Sequence, residues 1–395
     1  MTYKQLKVEE EKYVMQTYGR FPIALDHGQG SALWDIAGKR YIDLTSGIGV
    51  NCLGYNHPTL TQALETQLHK LMHVSNLFTT APMVQTAKTL VTSTGMGKVF
   101  FSNSGAEANE GAIKLARKYS FDKYGAGRHK IITLWNSFHG RTITTLKATG
   151  QTRFHDFFFP FPEGFDYVAS GNLAELESKI DNSTCAIMME LIQGEGGVLP
   201  QDPTFVKAVE ALCRKKDLLL IIDEVQTGIG RTGSLFCFQQ YDIQPDIVTM
   251  AKGLGGGVPI GAVMAAKSCC DVLTAGTHAT TFGGSPVVCA AANAVLSVVG
   301  KPEFLKEVRQ KGDYLKQKIE ALHAPMIEGV RGLGLMLGII VPEGQHIVLA
   351  NKLIAHGVLV LTAGKNVIRL LPPLTITNSE LDEALAIMKA VFCDE

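Results

Sequence analysis

Short apolar runs alternate with helical patterns through the middle of the chain, and this alternation restricts the possible folds more than any other feature. The runs typical of strands are residues 98–102, 130–134, 185–191, 218–222 and 247–250. Helical patterns lie between them, for example at residues 106–117 and in the segment that Asp202 and Pro203 begin. Because the strands are apolar throughout, they predict an α/β fold whose mainly parallel sheet is covered by helices on both faces.

Three segments are predicted along the chain. Residues 1–49 contain a small hairpin around Gly38 and are expected to pack with the smaller of two domains. Residues 50–295 form the large domain, which ends in an apolar and therefore buried helix at residues 287–299. Residues 296–395 form a smaller α+β domain, which begins near Gly300 and Pro302 and ends in a helix capped by Thr377 and Glu380.

The charge balance argues against two classes of partner. Lys plus Arg and Asp plus Glu both number 37, so no field of one sign is available to attract nucleic acid or an anionic membrane. The 8 cysteines include no C-x-x-C pair, which favours reduced thiols over a metal or disulfide site. The polar first residues lack a signal-peptide pattern and no apolar run is long enough to span a bilayer, so we expect a cytoplasmic protein.

The 40 glycines do not complete a nucleotide-binding or hydrolase motif. A G-x-G-x-x-G pattern that starts at Gly253 has Val258 in its last position, and the near match to G-x-S-x-G around Ser285 ends in Val287. The chain also has no P-loop and no H-E-x-x-H sequence. A Rossmann dehydrogenase, a P-loop enzyme and a serine hydrolase therefore all lose support.

Polar residues follow three of the predicted strands, at the edge where open α/β sheets bind ligands. Gly105 lies between a strand and a helix, where free backbone N–H groups can bind a phosphate, although a simple turn explains it equally well. Asp223 ends the most apolar strand, where an acid without a partner is costly. Lys252 follows the next strand, and burial there would make its amine nucleophilic. Together they indicate pyridoxal phosphate, with Lys252 bound to it as a Schiff base and Asp223 on its ring nitrogen.

Five motifs then occur in a fixed order: FSNSGAEAN at 101–109, FHGR at 138–141, DEVQTGIGRTG at 223–233, AKG at 251–253 and TTFGG at 280–284. By these motifs the chain resembles the class III (ornithine-type) aminotransferases, which have the type I fold of pyridoxal-phosphate-dependent transferases. The resemblance covers nearly the whole chain, from residues 33–43 to residues 368–373. It implies that the large domain binds the cofactor.

The resemblance also implies cofactor-binding roles. Phe138 and Val225 would pack on the two faces of the ring, and Gln226 would contact its hydroxyl. Thr281 would reach the phosphate of the neighbouring subunit's cofactor, which implies a homodimer with shared active sites. The residues expected to hold the cofactor are Ser104, Gly105, Ala106, Phe138, Asp223, Glu224, Val225, Gln226, Lys252 and Thr281.

Four further residues are implied to bind substrate. Arg141, with Thr280 beside it, would bind one substrate carboxylate, and Arg369 would bind the α-carboxylate of glutamate or 2-oxoglutarate. Glu195 would pair with an arginine for one substrate and release it for the other. Lys252 would move the proton, and Asp223 and Glu195 complete the expected catalytic set.

The expected reaction transfers the ω-amino group of N2-acetyl-L-ornithine to 2-oxoglutarate, giving N-acetylglutamate 5-semialdehyde and L-glutamate. Residues 45–51 lack the tyrosine with which ornithine δ-aminotransferases handle a free α-amino group, and its absence favours an N-acylated donor. Succinylornithine, succinyldiaminopimelate, ornithine and 4-aminobutyrate stay open as donors, and a pyridoxal-phosphate aminomutase stays open as a second reaction class.

Overall fold

The computed structural model describes residues 1–393. The N-terminal elements are α1 (Tyr3–Tyr13), β1 (Leu25–Gln29), β2 (Ala32–Asp35), β3 (Arg40–Asp43) and the single turn α2 (Ser46–Gly49). The middle of the chain contains α3 (Pro58–Leu68), α4 (Ala81–Thr94), β4 (Lys98–Ser102), α5 (Gly105–Tyr124), β5 (Lys130–Leu134), α6 (Ile143–Ala148), β6 (Phe165–Val168), α7 (Leu173–Lys179), β7 (Thr184–Glu190), β8 (Ile192–Gln193), β9 (Leu199–Pro200), α8 (Pro203–Lys216), β10 (Leu219–Asp223), α9 (Phe238–Tyr241), β11 (Ile247–Met250), β12 (Gly261–Ala265) and α10 (Pro286–Val299). The last elements are α11 (Pro302–Glu320), β13 (Gly329–Leu333), β14 (Met336–Ile340), α12 (Gln345–Ala355), β15 (Val358–Leu359), β16 (Leu361–Ala363), β17 (Val367–Leu370) and α13 (Asn378–Cys393). Short 3₁₀ turns lie at Thr152–Phe154 and Lys252–Leu254.

A seven-stranded sheet forms the centre of the molecule, in the order β4-β12-β11-β10-β7-β5-β6. The five strands from β11 to β6 are paired in parallel, which confirms the predicted mainly parallel sheet. The β12 strand, which the sequence pattern did not reveal, lies between β4 and β11 and is antiparallel to both. Every residue of β7, β10, β11 and β12 is buried, as expected for strands covered on both faces.

Local sequence explains why the helices return the chain to this sheet. Asp202 caps α8 by accepting hydrogen bonds from the N–H groups of Thr204 and Phe205, and Pro203 occupies the first turn. The helix ends at Asp217, whose left-handed backbone directs the chain into β10. The predicted buried helix is α10, in which nine residues are buried.

Two smaller sheets flank the central one. The first has the order β1-β2-β3-β15, and β3 pairs in parallel with β15, so that the N-terminal hairpin joins the C-terminal part of the chain. The second has the order β13-β14-β17-β16 and is antiparallel throughout. The predicted boundaries at residues 49 and 295 stay predictions.

Helix length and hydropathy were also compared with what a bilayer requires. Within residues 1–393, no single helix is long and apolar enough to cross a membrane. Only α10 and α11 taken together reach the required length and composition, and they are bent by 73° where they meet.

Arg231 connects the large sheet's loops to the C-terminal elements. Its guanidinium is 2% exposed and donates hydrogen bonds to the carbonyl oxygens of Leu335 (2.9 Å) and Pro372 (2.5 Å). The Ser46 hydroxyl lies 3.4 Å from the same group. Burial lowers the pKa of Arg231 to about 10, so the carbonyl oxygens must replace the hydration that the cation loses.

We expect Arg231→Lys to reduce the free energy of unfolding by about 2–3 kcal/mol, because a single ammonium group cannot satisfy all of these buried acceptors. Urea denaturation measures the change. The matched control is Arg117→Lys, which alters a half-buried arginine that also donates to two backbone carbonyls, those of His129 and Glu163. Its effect should be about 1 kcal/mol or less, because water can replace the lost contacts. Equal effects of the two substitutions would contradict the bridging role of Arg231.

Candidate active site

A cavity of about 460 Å³ opens at the carboxyl ends of the parallel strands, where the sequence predicts the site. The predicted residues that line it are Ser104, Gly105, Ala106, Phe138, Arg141, Asp223, Val225, Gln226 and Lys252. Three of the predicted residues, Glu224, Thr280 and Thr281, are not among its lining residues. Glu195 lines a neighbouring cavity of about 610 Å³.

The start of α5 forms one wall of the cavity. The Ser104 hydroxyl caps the helix by accepting the N–H of Glu107 at 3.2 Å, and Ala108 donates the first backbone hydrogen bond back to Ser104. The N–H groups of Gly105 and Ala106 precede that bond and border the cavity, as orphan donors at a helix start do. Together with the positive end of the helix dipole, they can bind a phosphate.

Asp223 lies at the floor of the cavity, as the last residue of β10 and 3% exposed. Its Oδ2 accepts hydrogen bonds from the Asn109 amide (2.7 Å) and pairs with Nδ1 of His139 (2.8 Å). Its Oδ1 accepts the N–H of Val225 at 3.0 Å. These partners hold a buried carboxylate in one orientation, ready to bind a positively charged group.

Lys252 follows β11 and has a left-handed backbone (φ +45°), which is uncommon for a residue other than glycine and typical of functional sites. Burial lowers the pKa of the Lys252 amine, and the nearby Arg369 acts in the same direction. Glu195, Asp223 and Glu190 oppose the change without cancelling it. The amine is therefore neutral, and nucleophilic, over more of the physiological pH range than a surface lysine.

Arg369 and Glu195 form an ion pair beside Lys252. Nη1 of Arg369 lies 2.6 Å from Oε1 of Glu195 and donates a longer bond, 3.2 Å, to Gln226. Burial alone would raise the pKa of Glu195, but Arg369 more than offsets this and the pKa is lowered. Among residues 1–393, Nε of Arg369 has no hydrogen-bond partner, so this buried arginine retains a free donor.

Arg141 lies at the mouth of the same cavity. It is exposed, and its guanidinium lies over two aromatic rings, 5.6 Å from the centre of Phe138 and 4.1 Å from that of Phe154. The cavity and its rim thus carry two arginines, but only Arg369 has a carboxylate partner that can compete with a substrate.

Glu224 has a different environment from the one expected. Its carboxylate accepts hydrogen bonds from the Thr227 hydroxyl and from the N–H groups of Cys237 and Phe238. Burial raises its pKa to about 7. These contacts fold the loop between β10 and α9, so Glu224 supports the site from behind.

Thr280 and Thr281 border two other cavities. The Thr280 hydroxyl accepts a hydrogen bond from the Asn103 amide at 3.1 Å, and Asn103 itself lines the main cavity. The two threonines therefore lie at the edge of the site within one chain.

The sequence motifs did not identify the roles of two lining residues, Asn109 and Glu190. Glu190 ends β7 as Asp223 ends β10, and the two residues are paired in register. An acid at the end of a fully apolar strand was therefore a signal for both. The signal for Asn109 was weaker, because it lies inside a helix whose burial only the fold reveals.

The residues around the cavity fit pyridoxal phosphate. Free N–H groups at a helix start suit its phosphate, the fixed Asp223 carboxylate suits a protonated ring nitrogen, and a neutral buried amine suits its aldehyde. A Cβ atom at Gly105 would lie 2.6 Å from Cγ1 of Val225, so the wall leaves no spare room between the phosphate seat and the predicted ring-packing residue.

We therefore expect Gly105→Ala to weaken pyridoxal phosphate binding about 10-fold or more, because the stiff Val225 side chain must shift toward the cavity. Equilibrium dialysis of the purified protein measures the affinity. Gly19→Ala is the matched control, since a Cβ atom there meets nothing within 4 Å. An unchanged affinity in Gly105→Ala would contradict the predicted tight fit.

Comparison with known proteins supports the same family. The family model "Aminotransferase class-III" matches residues 13–392. Acetylornithine aminotransferase of Haemophilus ducreyi is 51% identical over 100% of both chains, and that of Methanocaldococcus jannaschii is 45% identical over 98% of this chain and 97% of its own.

Solved structures agree with the predicted fold class. N-acetylornithine aminotransferase from Stenotrophomonas maltophilia has a TM-score of 0.84 at 36% identity, covering 97% of both chains. Ornithine aminotransferase from Toxoplasma gondii has a TM-score of 0.95 at 32% identity, covering 99% of this chain and 94% of its own, in a structure described as showing partial occupancy of PLP at the active site. This chain therefore belongs to the class III aminotransferases and is a pyridoxal-phosphate-dependent enzyme.

Proposed function

We propose that this enzyme transfers the ω-amino group of N2-acetyl-L-ornithine to 2-oxoglutarate, giving N-acetylglutamate 5-semialdehyde and L-glutamate, a step of arginine biosynthesis. The observation that carries the proposal is the Glu195–Arg369 pair beside Lys252, in a site that has Arg141 at its mouth. Similarity to acetylornithine aminotransferases over the full chain supports the choice of donor.

The bound cofactor would supply a ring that withdraws electrons from the substrate carbon when that carbon loses a proton. The residues proposed to hold it are the N–H groups of Gly105 and Ala106, the Asp223 carboxylate, and the Phe138 and Val225 side chains. Nζ of Lys252, with its lowered pKa, takes the proton from the amine-bearing carbon and can return it.

The two arginines explain how one site serves two substrates. Arg141 binds the carboxylate at the far end of either substrate. While the donor is bound, Glu195 neutralises Arg369, so no second substrate carboxylate is required. The α-carboxylate of 2-oxoglutarate then displaces Glu195, which is 27% exposed and can turn outward, and binds the free donor of Arg369.

Separate half-reactions test this function. Mixing the pyridoxal form with N-acetylornithine should remove its long-wavelength absorption faster than succinylornithine, succinyldiaminopimelate, ornithine or 4-aminobutyrate, and adding 2-oxoglutarate should restore it and yield glutamate. Arg369→Lys should slow the 2-oxoglutarate step about 10–100-fold, because a bidentate contact is lost, and the donor step about threefold or less.

The control for this experiment is Arg331→Lys, which alters a nearby arginine that donates to the Gly197 carbonyl from Nε and Nη2. It should slow neither half-reaction selectively. A faster reaction with another donor would assign the enzyme that donor instead, and product formation without glutamate would indicate an aminomutase.

The proposal includes a homodimer with shared sites. Thr281 lies outside the cavity that contains Lys252, next to an apolar surface formed by Leu77, Phe78 and Phe282, which are 87%, 63% and 62% exposed. The Asn76 amide joins the two halves of this surface by donating to the carbonyl oxygens of Thr280 and Gly283. Cover by a second copy would bury these side chains and bring Thr281 to the other subunit's site. A cytoplasmic location stays a prediction.

Mixed dimers test the sharing. Lys252→Ala removes the amine and Thr281→Ala weakens phosphate binding, so each variant alone should be impaired. A dimer with one subunit of each type has one site whose Lys252 and Thr281 are both intact if Thr281 serves the partner. Mixing the variants after dissociation should then restore activity well above the average of the two parents. Activity equal to that average would show that Thr281 serves its own subunit.

A further inference from the structure

Glu190 is a buried acid for which the proposed reaction has no direct use. It is 5% exposed, lines the cavity, and pairs in register with Asp223 on the adjacent strand. Both hydrogen bonds to its carboxylate come from the backbone: Oε2 accepts the N–H of Phe138 at 2.9 Å, and Oε1 accepts the N–H of Gly194 at 3.3 Å.

These two N–H groups belong to separate loops with different predicted tasks. The Phe138 loop follows β5 and carries the side chain expected to pack on the cofactor ring. The Gly194 loop follows β8 and carries Glu195, the partner of Arg369. One carboxylate therefore holds the backbone on both sides of the cavity.

Gly194 is also confined from its other side. A Cβ atom on Gly194 would lie 2.4–2.6 Å from the amide group of Gln226, and that amide accepts a hydrogen bond from Arg369. The glycine is thus wedged between Glu190 and Gln226, and a displacement of its backbone would move Glu195 relative to Arg369.

We propose that Glu190 is a positioning residue that couples the Phe138 loop to the Glu195 loop, so that the contact with the cofactor ring and the Glu195–Arg369 pair are set together. The coupling rests on the proposed function for the roles of Phe138 and Glu195. It gives the carboxylate a purpose that a hydrophobic residue of the same size could not serve.

The coupling requires the ionised form, in which both oxygens are acceptors. Burial raises the pKa of Glu190 to about 7 and Asp223 acts in the same direction, whereas His139 and the N–H groups of Phe138 and Gly194 favour the anion. Lys252 also faces this carboxylate, as its own lowered pKa reflects. Glu190→Gln keeps the volume but retains one acceptor oxygen, so its amide must turn a donor toward one of the two N–H groups.

The test compares Glu190→Gln with Asp246→Asn. Asp246 is a buried carboxylate away from the cavity that also spans two partners, since it accepts the N–H of Leu220 and pairs with Arg214. Both substitutions should lower the thermal midpoint of the holoenzyme. Only Glu190→Gln should increase amide hydrogen exchange, about 10-fold or more, in the peptides that contain Phe138 and Gly194, and only it should change the visible circular dichroism of bound pyridoxal phosphate.

Faster exchange in one of the two peptides alone, or the same change in Asp246→Asn, would overturn the coupling. If Glu190→Gln does not fold, Glu190→Asp replaces it: this variant keeps the charge but is one methylene shorter, so it should lose protection in at least one loop, and full protection in both would overturn the proposal. Neither readout depends on the amino donor. A wild-type enzyme that rejects N-acetylornithine would therefore refute the proposed function and leave this test intact.

Discussion

The buried carboxylate of Asp223 is the constraint on which the rest of the site depends. A charge that is 3% exposed is stable only with partners, and these come from three different parts of the fold: Asn109 on α5, His139 after β5, and the backbone of Val225. Satisfying the charge fixes the helix start that offers N–H groups and the loop that carries Phe138. The same interaction thus aligns the phosphate seat and both faces of the proposed ring position.

Opposed charges around Lys252 control its reactivity. Burial and Arg369 favour the neutral amine, whereas Glu195, Asp223 and Glu190 favour the ammonium ion. In the proposed reaction, a substrate carboxylate that displaces Glu195 from Arg369 would also change this balance. Substrate exchange and the protonation of Lys252 are then linked through the same ion pair.

Much of the fold follows from local pattern. The strands at residues 98–102, 130–134 and 247–250 were predicted to the residue, because apolar runs between turn residues are typical of strands in a covered parallel sheet. The β12 strand was missed because Gly261–Ala265 is short, rich in small residues and preceded by a glycine loop. Its place as an antiparallel strand between β4 and β11 is a matter of sheet pairing, which local sequence does not encode.

The predicted cofactor residues that line the cavity follow directly from motifs, since a helix start, a strand-end acid and a lysine after a strand each leave a local signal. The hidden positions of Glu224 and Thr281 left none. By itself the sequence determined the family, the sheet and the chemical groups at its carboxyl edge, because these depend on residue type and short-range order. Only the tertiary structure decided that Glu190 faces two loops, that Arg369 pairs with Glu195 and that Thr281 lies outside the cavity of its own chain, because each depends on contacts between segments far apart in sequence.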